Sequence, residues 1–359
     1  MLAHWLQIES GWSLSLEFLL CAVVILVAGS KLSRAADTLA EKTGLARGWV
    51  GLMFLAIATS LPELISCAGS VTVVRPPQPN LAFGNVFGAN VLNFMVIVVL
   101  DVMNGRQPLI PTLSHRQTFA IAFGCFLMAM NAVGVLLGQA LPKGAAEWGW
   151  VVSLSVFLVY ALSVRLTYAL EHREHAETPL PEGLRYVDLT TGQAWTRYLV
   201  AAGVIVLAGL WLVQTADRIA AYEFTWGMTR ISLGRTFVGT LFLPFVTTLP
   251  ELVVSVTAFR LVGADMALGN LLGSVIFNMA IIPIIDPLAH GSIYAGIDPA
   301  QVVTALLAIA LAMVLLASMS YRSRRGLWIL GYDSLAMLAL YVAGMYCIFK
   351  ATVERVPGP

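Results

Sequence analysis

The stretch "LAFGNVFGANVLNFMVIVVLD" at residues 81–101 has a counterpart, "MALGNLLGSVIFNMAIIPIID", at residues 266–286. The two align without a gap. Gly84, Asn85, Gly88, Asn93 and Asp101 fall on Gly269, Asn270, Gly273, Asn278 and Asp286. Unrelated apolar helices match Leu to Val by chance; they rarely match Gly, Asn and Asp in one order, so a duplicated unit is implied. Two further pairs extend it. "TSLPEL" at 59–64 matches "TTLPEL" at 247–252, and "AGSKLSRAADTLA" at 28–40 resembles "AGLWLVQTADRIA" at 208–220.

Composition says what surrounds these helices. The 359 residues are 58% hydrophobic and only 11% charged, where a soluble domain has about 25% charged residues. This predicts a polytopic membrane protein whose first partner is the lipid bilayer. A net charge of +1 gives no ground for a nucleic-acid partner. The opening "MLAHWLQIESGWS" lacks a positively charged region ahead of its apolar run, so no cleaved signal peptide is expected. Cys21, Cys67, Cys125 and Cys347 lie in apolar runs without metal or disulfide spacing and read as small hydrophobes.

A spanning helix needs ~20 apolar residues. On that ruler ten segments are expected, at about 15–35, 47–73, 81–101, 116–137, 147–169, 197–221, 233–260, 265–286, 299–319 and 326–350. The predicted fold is all-α, with ten transmembrane helices. They form an N-terminal repeat over 1–169 and a C-terminal repeat over 197–359, joined by a linker at 170–196. Each half holds five spans. Five is odd, so the second half enters the membrane from the opposite side and the repeats are inverted. Secondary transporters with inverted repeats bind substrate near the midplane where the halves meet. One face's loops carry 14 Lys and Arg against 7 on the other. The positive-inside rule then puts both termini outside and the central loop in the cytoplasm.

The repeated Pro-Glu segments carry the chemistry. Pro62 and Pro250 remove a backbone N–H each and leave the carbonyls of Ala58 and Val246, four residues back, without that donor. Open carbonyls at membrane depth are tolerated where they line a cavity. Glu63 and Glu251 follow directly, and a carboxylate at the bilayer centre costs ~2.5–3.5 kcal/mol on insertion scales. Two of them at equivalent places bring two negative charges, which balance one Ca²⁺. Calcium takes ~6–8 oxygens from carboxylates, carbonyls and hydroxyls. Thr59, Ser60, Thr247 and Thr248 add hydroxyls beside the carboxylates. No His or Cys stands close, which argues against a soft transition metal. Asn85 and Asn93 lie two turns apart on one face, as do Asn270, Ser274 and Asn278, and these faces are expected beside the Pro-Glu helices. Gly84 with Gly88, and Gly269 with Gly273, form GxxxG pairs that allow close helix approach. Asn85 and Asn270 serve equally well as ligands or as structural polar groups. Asp101 and Asp286 sit at segment ends and read as interfacial. "EHREH" at 171–175 reads as a solvated loop, and Asp37 and Asp217 as capping or packing positions. No Ser/His, Asp/Asp or HExxH constellation supports an enzyme, and no cofactor is expected.

These residues resemble the sodium/calcium exchanger family of the calcium:cation antiporters. Its two motifs read "ATSLPE…GNVFGANVLN" within 56–93 and "VTTLPE…GNLLGSVIFN" within 244–278 in this chain. The resemblance implies Na⁺-driven Ca²⁺ antiport by alternating access, in which the first and sixth helices slide against the rest. It implies a monomer in the plasma (inner) membrane that carries Ca²⁺ and Na⁺. By resemblance the ion ligands are Thr59, Ser60, Glu63, Asn93, Thr247, Thr248, Glu251, Ser274 and Asn278, with the backbone carbonyls of Ala56 and Pro244. Four positions depart from the family pattern. Ala89 replaces a serine ligand, Asn278 stands where many sodium exchangers carry Asp, Ala58 and Val246 replace glycines, and Pro244 replaces a small residue. Proton-coupled exchange of Ca²⁺ or another cation on the same scaffold is the alternative.

Overall fold

The computed structural model describes residues 11–43, 56–105, 109, 115–140, 147–175, 190–226, 229–261, 263–289, 291–321, 326–327, 330–352 and 354–356. Helices dominate: α1 (Gly11–Thr43), α2 (Leu61–Thr72), α3 (Pro79–Asn104), α4 (His115–Ala140), α5 (Glu147–His175) and α6 (Thr191–Ala221). They are followed by α7 (Gly234–Thr247), α8 (Leu249–Leu261), α9 (Ala264–Ile285), α10 (Ala300–Tyr321) and α11 (Tyr332–Thr352). Short strands decorate the helix ends. β1 (Glu223–Trp226) and β2 (Thr229–Ser232) form an antiparallel hairpin, extended by a C-terminal strand at Glu354–Val356.

Eight helices among the described residues are long and apolar enough to cross a membrane, and the bent pair α7–α8 makes nine. The segment expected at 47–73 lies partly outside the described residues. Its described part is helical at 56–59, turns at Ser60 and resumes as α2. The linker expected over 170–196 is shorter than that range. α5 runs on to His175, so "EHREH" ends a helix rather than forming a loop, and α6 already begins at Thr191. The physical cause at the second boundary is a capping box. The Gln193 N–H donates to Thr190 Oγ1 at 3.2 Å, and the Thr190 N–H donates to Gln193 Oε1 at 3.0 Å.

α3 and α9 form the centre. Buried residues make up 72% of the apolar window of α3 and 83% of that of α9, against 33% for α1 and 17% for α11. The outer helices instead present Leu16, Leu19, Val23, Leu154, Leu158 and Val342 to the surroundings, the pattern expected where the solvent is hydrocarbon.

The first glycine pair sets the closest helix approach. A Cβ built on Gly84 would stand 2.6 Å from the carbonyl carbon of Gly239, and one on Gly88 only 2.2 Å from the Thr240 oxygen. The α7 backbone thus lies directly on α3. Within α7 a π-helical turn spans Val238–Phe242, just before Pro244. Proline cannot supply the N–H that the Thr240 carbonyl would take, and the wider turn relieves the clash. A Cβ on Gly273 meets Ala56 Cβ at 3.2 Å, and one on Gly269 meets nothing within 4 Å among the described residues. By the repeat offset its partners would be Gly51 and Leu52, which lie outside the described residues. Gly88→Ala is expected to lower the apparent melting temperature in detergent, at a cost of about 1–3 kcal/mol. Melting of Gly88→Ala equal to that of wild type would contradict this packing.

α1 and α6 cross the Pro-Glu helices of the opposite half. A Cβ on Gly29 of α1 would lie 2.4 Å from Pro250 Cγ, and one on Gly209 of α6 3.0 Å from Ile65 Cγ2. Gly29 and Gly209 occupy the same place in the "AGSKL" and "AGLWL" repeats.

Asp101 and Asp286, at their helix ends, are buried to 1% and 0% exposure. Asp101 accepts from the N–H of Leu109 (2.6 Å), the N–H of Gly331 (3.2 Å) and the Ser334 hydroxyl (2.6 Å). Asp286 accepts from the Ile293 N–H (3.0 Å) and the Ser153 hydroxyl (2.6 Å). Each carboxylate fastens the loop after its own helix and a helix from the opposite half, α11 for Asp101 and α5 for Asp286. Asp217 accepts from Arg235 Nε at 2.6 Å. The side chain of Asp37 lies outside the described residues.

Candidate functional site

The two Pro-Glu segments break at the same place. Ser60 precedes α2 and Thr248 separates α7 from α8, with the second pair bent by 45°. In each, proline sits at the second position of the new helix, where its missing N–H is no loss. Neither Pro62 nor Pro250 offers an N–H to the carbonyl four residues back, and Ala58 and Val246 are buried at 1% and 0%. The carbonyls of Ala56 and Pro244 are differently placed. Ala56 O accepts the Ser60 N–H and the Thr59 hydroxyl, both at 3.0 Å. Pro244 O accepts the Thr248 N–H at 2.9 Å, with Thr247 Oγ1 at 3.5 Å.

The breaks turn the helix starts toward each other. Ser60 Oγ donates to Glu251 Oε1 at 2.9 Å, and Thr248 Oγ1 donates to Glu63 Oε1 at 3.2 Å. Each carboxylate is therefore gripped by a hydroxyl of the other half. Both glutamates are fully buried, and in both the second oxygen, Oε2, has no hydrogen-bond partner. Native structures leave few buried polar atoms unpaired, and such an atom calls for a specific explanation. Asn93 is buried with both amide atoms unpartnered, and Oδ1 of Asn270 and of Asn278 are unpartnered too. Buried carboxylate and amide oxygens without donors are the set a hard cation takes. Among the described residues no cluster of three or more His, Cys, Asp or Glu could hold a metal.

The halves differ at Ala89. Thr59 donates to Ala56 O, and its hydroxyl lies 3.4 Å from Ser274 Oγ. Ala89 occupies the place of Ser274 in the first half and offers no hydroxyl. Thr247 donates instead to Asn85 Oδ1 at 3.1 Å. Asn85 Nδ2 reaches Glu63 O and Cys67 Sγ, both at 3.4 Å, while Asn270 Nδ2 donates to Ser255 Oγ at 3.1 Å. Cys67 and Ser255 stand four residues after their glutamates, so the amide of Asn85 or Asn270 ties each α3-type helix to its Pro-Glu helix. The Asn85 oxygen is already taken, and the Asn270 oxygen is open.

Asn90 has no match in the repeat, since its counterpart is Val275. It is fully buried. Its Nδ2 donates to Val275 O at 3.2 Å, and its Oδ1 accepts from Asn278 Nδ2 at 3.0 Å. That second bond fixes which end of the Asn278 amide is free: the oxygen. The signal that could have found it is the mismatch itself, an amide in a helix otherwise wholly apolar at that level.

Comparison with known proteins follows the same lines. The family model described as sodium/calcium exchanger protein matches residues 14–169 and 194–350. The inner membrane protein YrbG of Escherichia coli is 27% identical over 312 residues, covering 79% of this chain and 85% of its own. The sodium/calcium exchanger MaX1 of Methanosarcina acetivorans is 25% identical over 363 residues, covering 92% and 97%. The crystal structure of the H⁺/Ca²⁺ exchanger CAX superposes with a TM-score of 0.61 at 16% identity, over 94% of this chain and 85% of that one.

Proposed function

This chain belongs to the sodium/calcium exchanger family of membrane antiporters, and from that premise we propose that it exchanges Ca²⁺ for Na⁺ by alternating access. One observation carries the reading: the reciprocal grip of Ser60 on Glu251 and Thr248 on Glu63, with both Oε2 atoms unpartnered. Two carboxylates shared between two halves, each with an open oxygen, match a cargo of charge +2.

In this proposal the chain has ten spans in two inverted repeats, and the cation sits at the midplane between them. Glu63 and Glu251 supply the charge. Asn93 and Asn278 supply amide oxygens, while Thr59, Ser60, Thr247, Thr248 and Ser274 supply hydroxyls that turn from protein acceptors to the ion. Asn270 is a better candidate ligand than Asn85, whose oxygen is already engaged. The carbonyls of Ala56 and Pro244 join only if the Thr59 and Thr247 hydroxyls release them. The charge balance drives the exchange, since release of Ca²⁺ leaves two uncompensated buried carboxylates until sodium ions replace it. The termini lie outside and the central loop in the cytoplasm of the plasma membrane, and the chain works as a monomer.

Proton coupling is the second reading, and Ala89 favours it. Without a hydroxyl there, and with an amide at Asn278, the sodium-binding oxygens are fewer, while two carboxylates can take two protons. The test is ⁴⁵Ca²⁺ uptake into proteoliposomes with Na⁺ and pH gradients imposed singly. Uptake driven by outward Na⁺ at symmetric pH supports the proposal. Uptake driven by the pH gradient alone would sink sodium coupling.

Asn90 is a positioning residue in this scheme. Asn90→Val, the residue of the other half, frees the Asn278 amide to rotate. The expected result is a Ca²⁺ KM raised ~10-fold with the maximal rate little changed, in the range measured for residues that orient ligands. An unchanged KM would remove Asn90 from the site.

A further inference from the structure

Along the seam between α1 and α6 runs a groove of about 920 Å³. Its walls are apolar, with Val23 and Val27 from α1 and Val200 from α6, and its rim carries Lys31, Arg34 and Arg197. Among the described residues none of these three cations forms an ion pair or hydrogen bond with a carboxylate. The other end of the same seam is different, because there Arg218 is paired with Glu17. A cation cluster that no described carboxylate neutralises, beside an apolar trough, has the two-part chemistry of a phospholipid.

The depth fits as well. Lys31 lies twenty residues beyond the start of α1 at Gly11, about 30 Å along the axis, which is one hydrocarbon thickness. Arg197 is six residues into α6 from Thr191, entering from that same face. The three side chains therefore gather at one membrane–water interface, where long cationic side chains reach toward headgroups. Basic pockets between helices at an interface bind anionic lipid headgroups. We propose that this groove is a site for one anionic phospholipid, its phosphate held by Lys31, Arg34 and Arg197 and an acyl chain lying on Val23, Val27 and Val200. The site is separate from the buried carboxylates. A lipid there bridges the two helices that cross the Pro-Glu segments.

The test is thermal unfolding and native mass spectrometry of the purified protein in detergent, titrated with phosphatidylglycerol, phosphatidylcholine or inorganic phosphate. Phosphatidylglycerol should raise the melting temperature and stay bound, and phosphatidylcholine should do neither. The K31Q/R34Q/R197Q variant should bind phosphatidylglycerol roughly 100-fold more weakly, the product of three surface cations. A second variant, V27W/V200W, keeps the charges and fills the trough, so it should lose the lipid while folding normally. Equal stabilisation by phosphatidylcholine, the same shift with inorganic phosphate, or undiminished binding by the triple variant would overturn the proposal.

Discussion

Glu63→Gln is expected to abolish the proposed calcium transport while leaving the protein at least as stable as wild type in ion-free buffer. Both halves of that result come from one geometry. Glu63 is fully buried, takes a single hydrogen bond on Oε1 from Thr248, and leaves Oε2 open. Glutamine keeps the shape and the acceptor for Thr248 but removes one of two negative charges. Breaking a buried charge arrangement from one side costs about 3–5 kcal/mol, so Ca²⁺ affinity should fall by ~10²–10⁴-fold at about 1.4 kcal/mol per decade. Without an ion the same change relieves repulsion with Glu251, so the apparent melting temperature stays level or rises. Glu251→Gln should behave alike, because Ser60 holds it as Thr248 holds Glu63. The measurements are ⁴⁵Ca²⁺ flux and melting curves with and without Ca²⁺. A variant that still gains stability from Ca²⁺ as wild type does would remove the carboxylates from the site.

Asp101→Ala has the largest expected effect on folding and should not act through the ion site at all. The carboxylate accepts two backbone N–H groups and the Ser334 hydroxyl, all in a place with 1% exposure. Removing it strands three donors, each worth about 1–3 kcal/mol when left buried and unpaired. The expected outcome is poor recovery of folded protein or a melting temperature far below wild type. Asp101→Asn keeps acceptor capacity on one oxygen and should recover part of the loss. Asp286→Ala should be damaging but milder, with two donors stranded rather than three. Near-normal melting of Asp101→Ala would show that water or rearrangement satisfies those donors.

Much of the site was legible because duplication marks constraint. "TSLPEL" and "TTLPEL" pointed to Glu63 and Glu251, and the structure brings each against a hydroxyl of the other half. The α3 and α9 stretches were equally clear, and they do form the buried centre. What repeats could not convey is where the halves differ. Ser274 lies against Thr59, while Ala89 stands at the matching place in the first half and Thr247 goes to Asn85. Asn90 was invisible for the same reason, since its counterpart is valine. Polarity does not locate the helix ends, because "EHREH" continues a helix and Thr190 caps one.

By itself the sequence determined the solvent, the helical class, the twofold repetition and the pair of buried carboxylates, because each is a matter of residue type and spacing. Only the tertiary structure decided which oxygens are free. A hydroxyl donates one proton: that of Thr59 goes to Ala56 O, leaving its oxygen to face Ser274, whereas Ala89 offers no such hydroxyl and Thr247 donates to Asn85. That choice spans residues 162 and 215 positions apart. It follows from packing distances between helices, which no local pattern encodes.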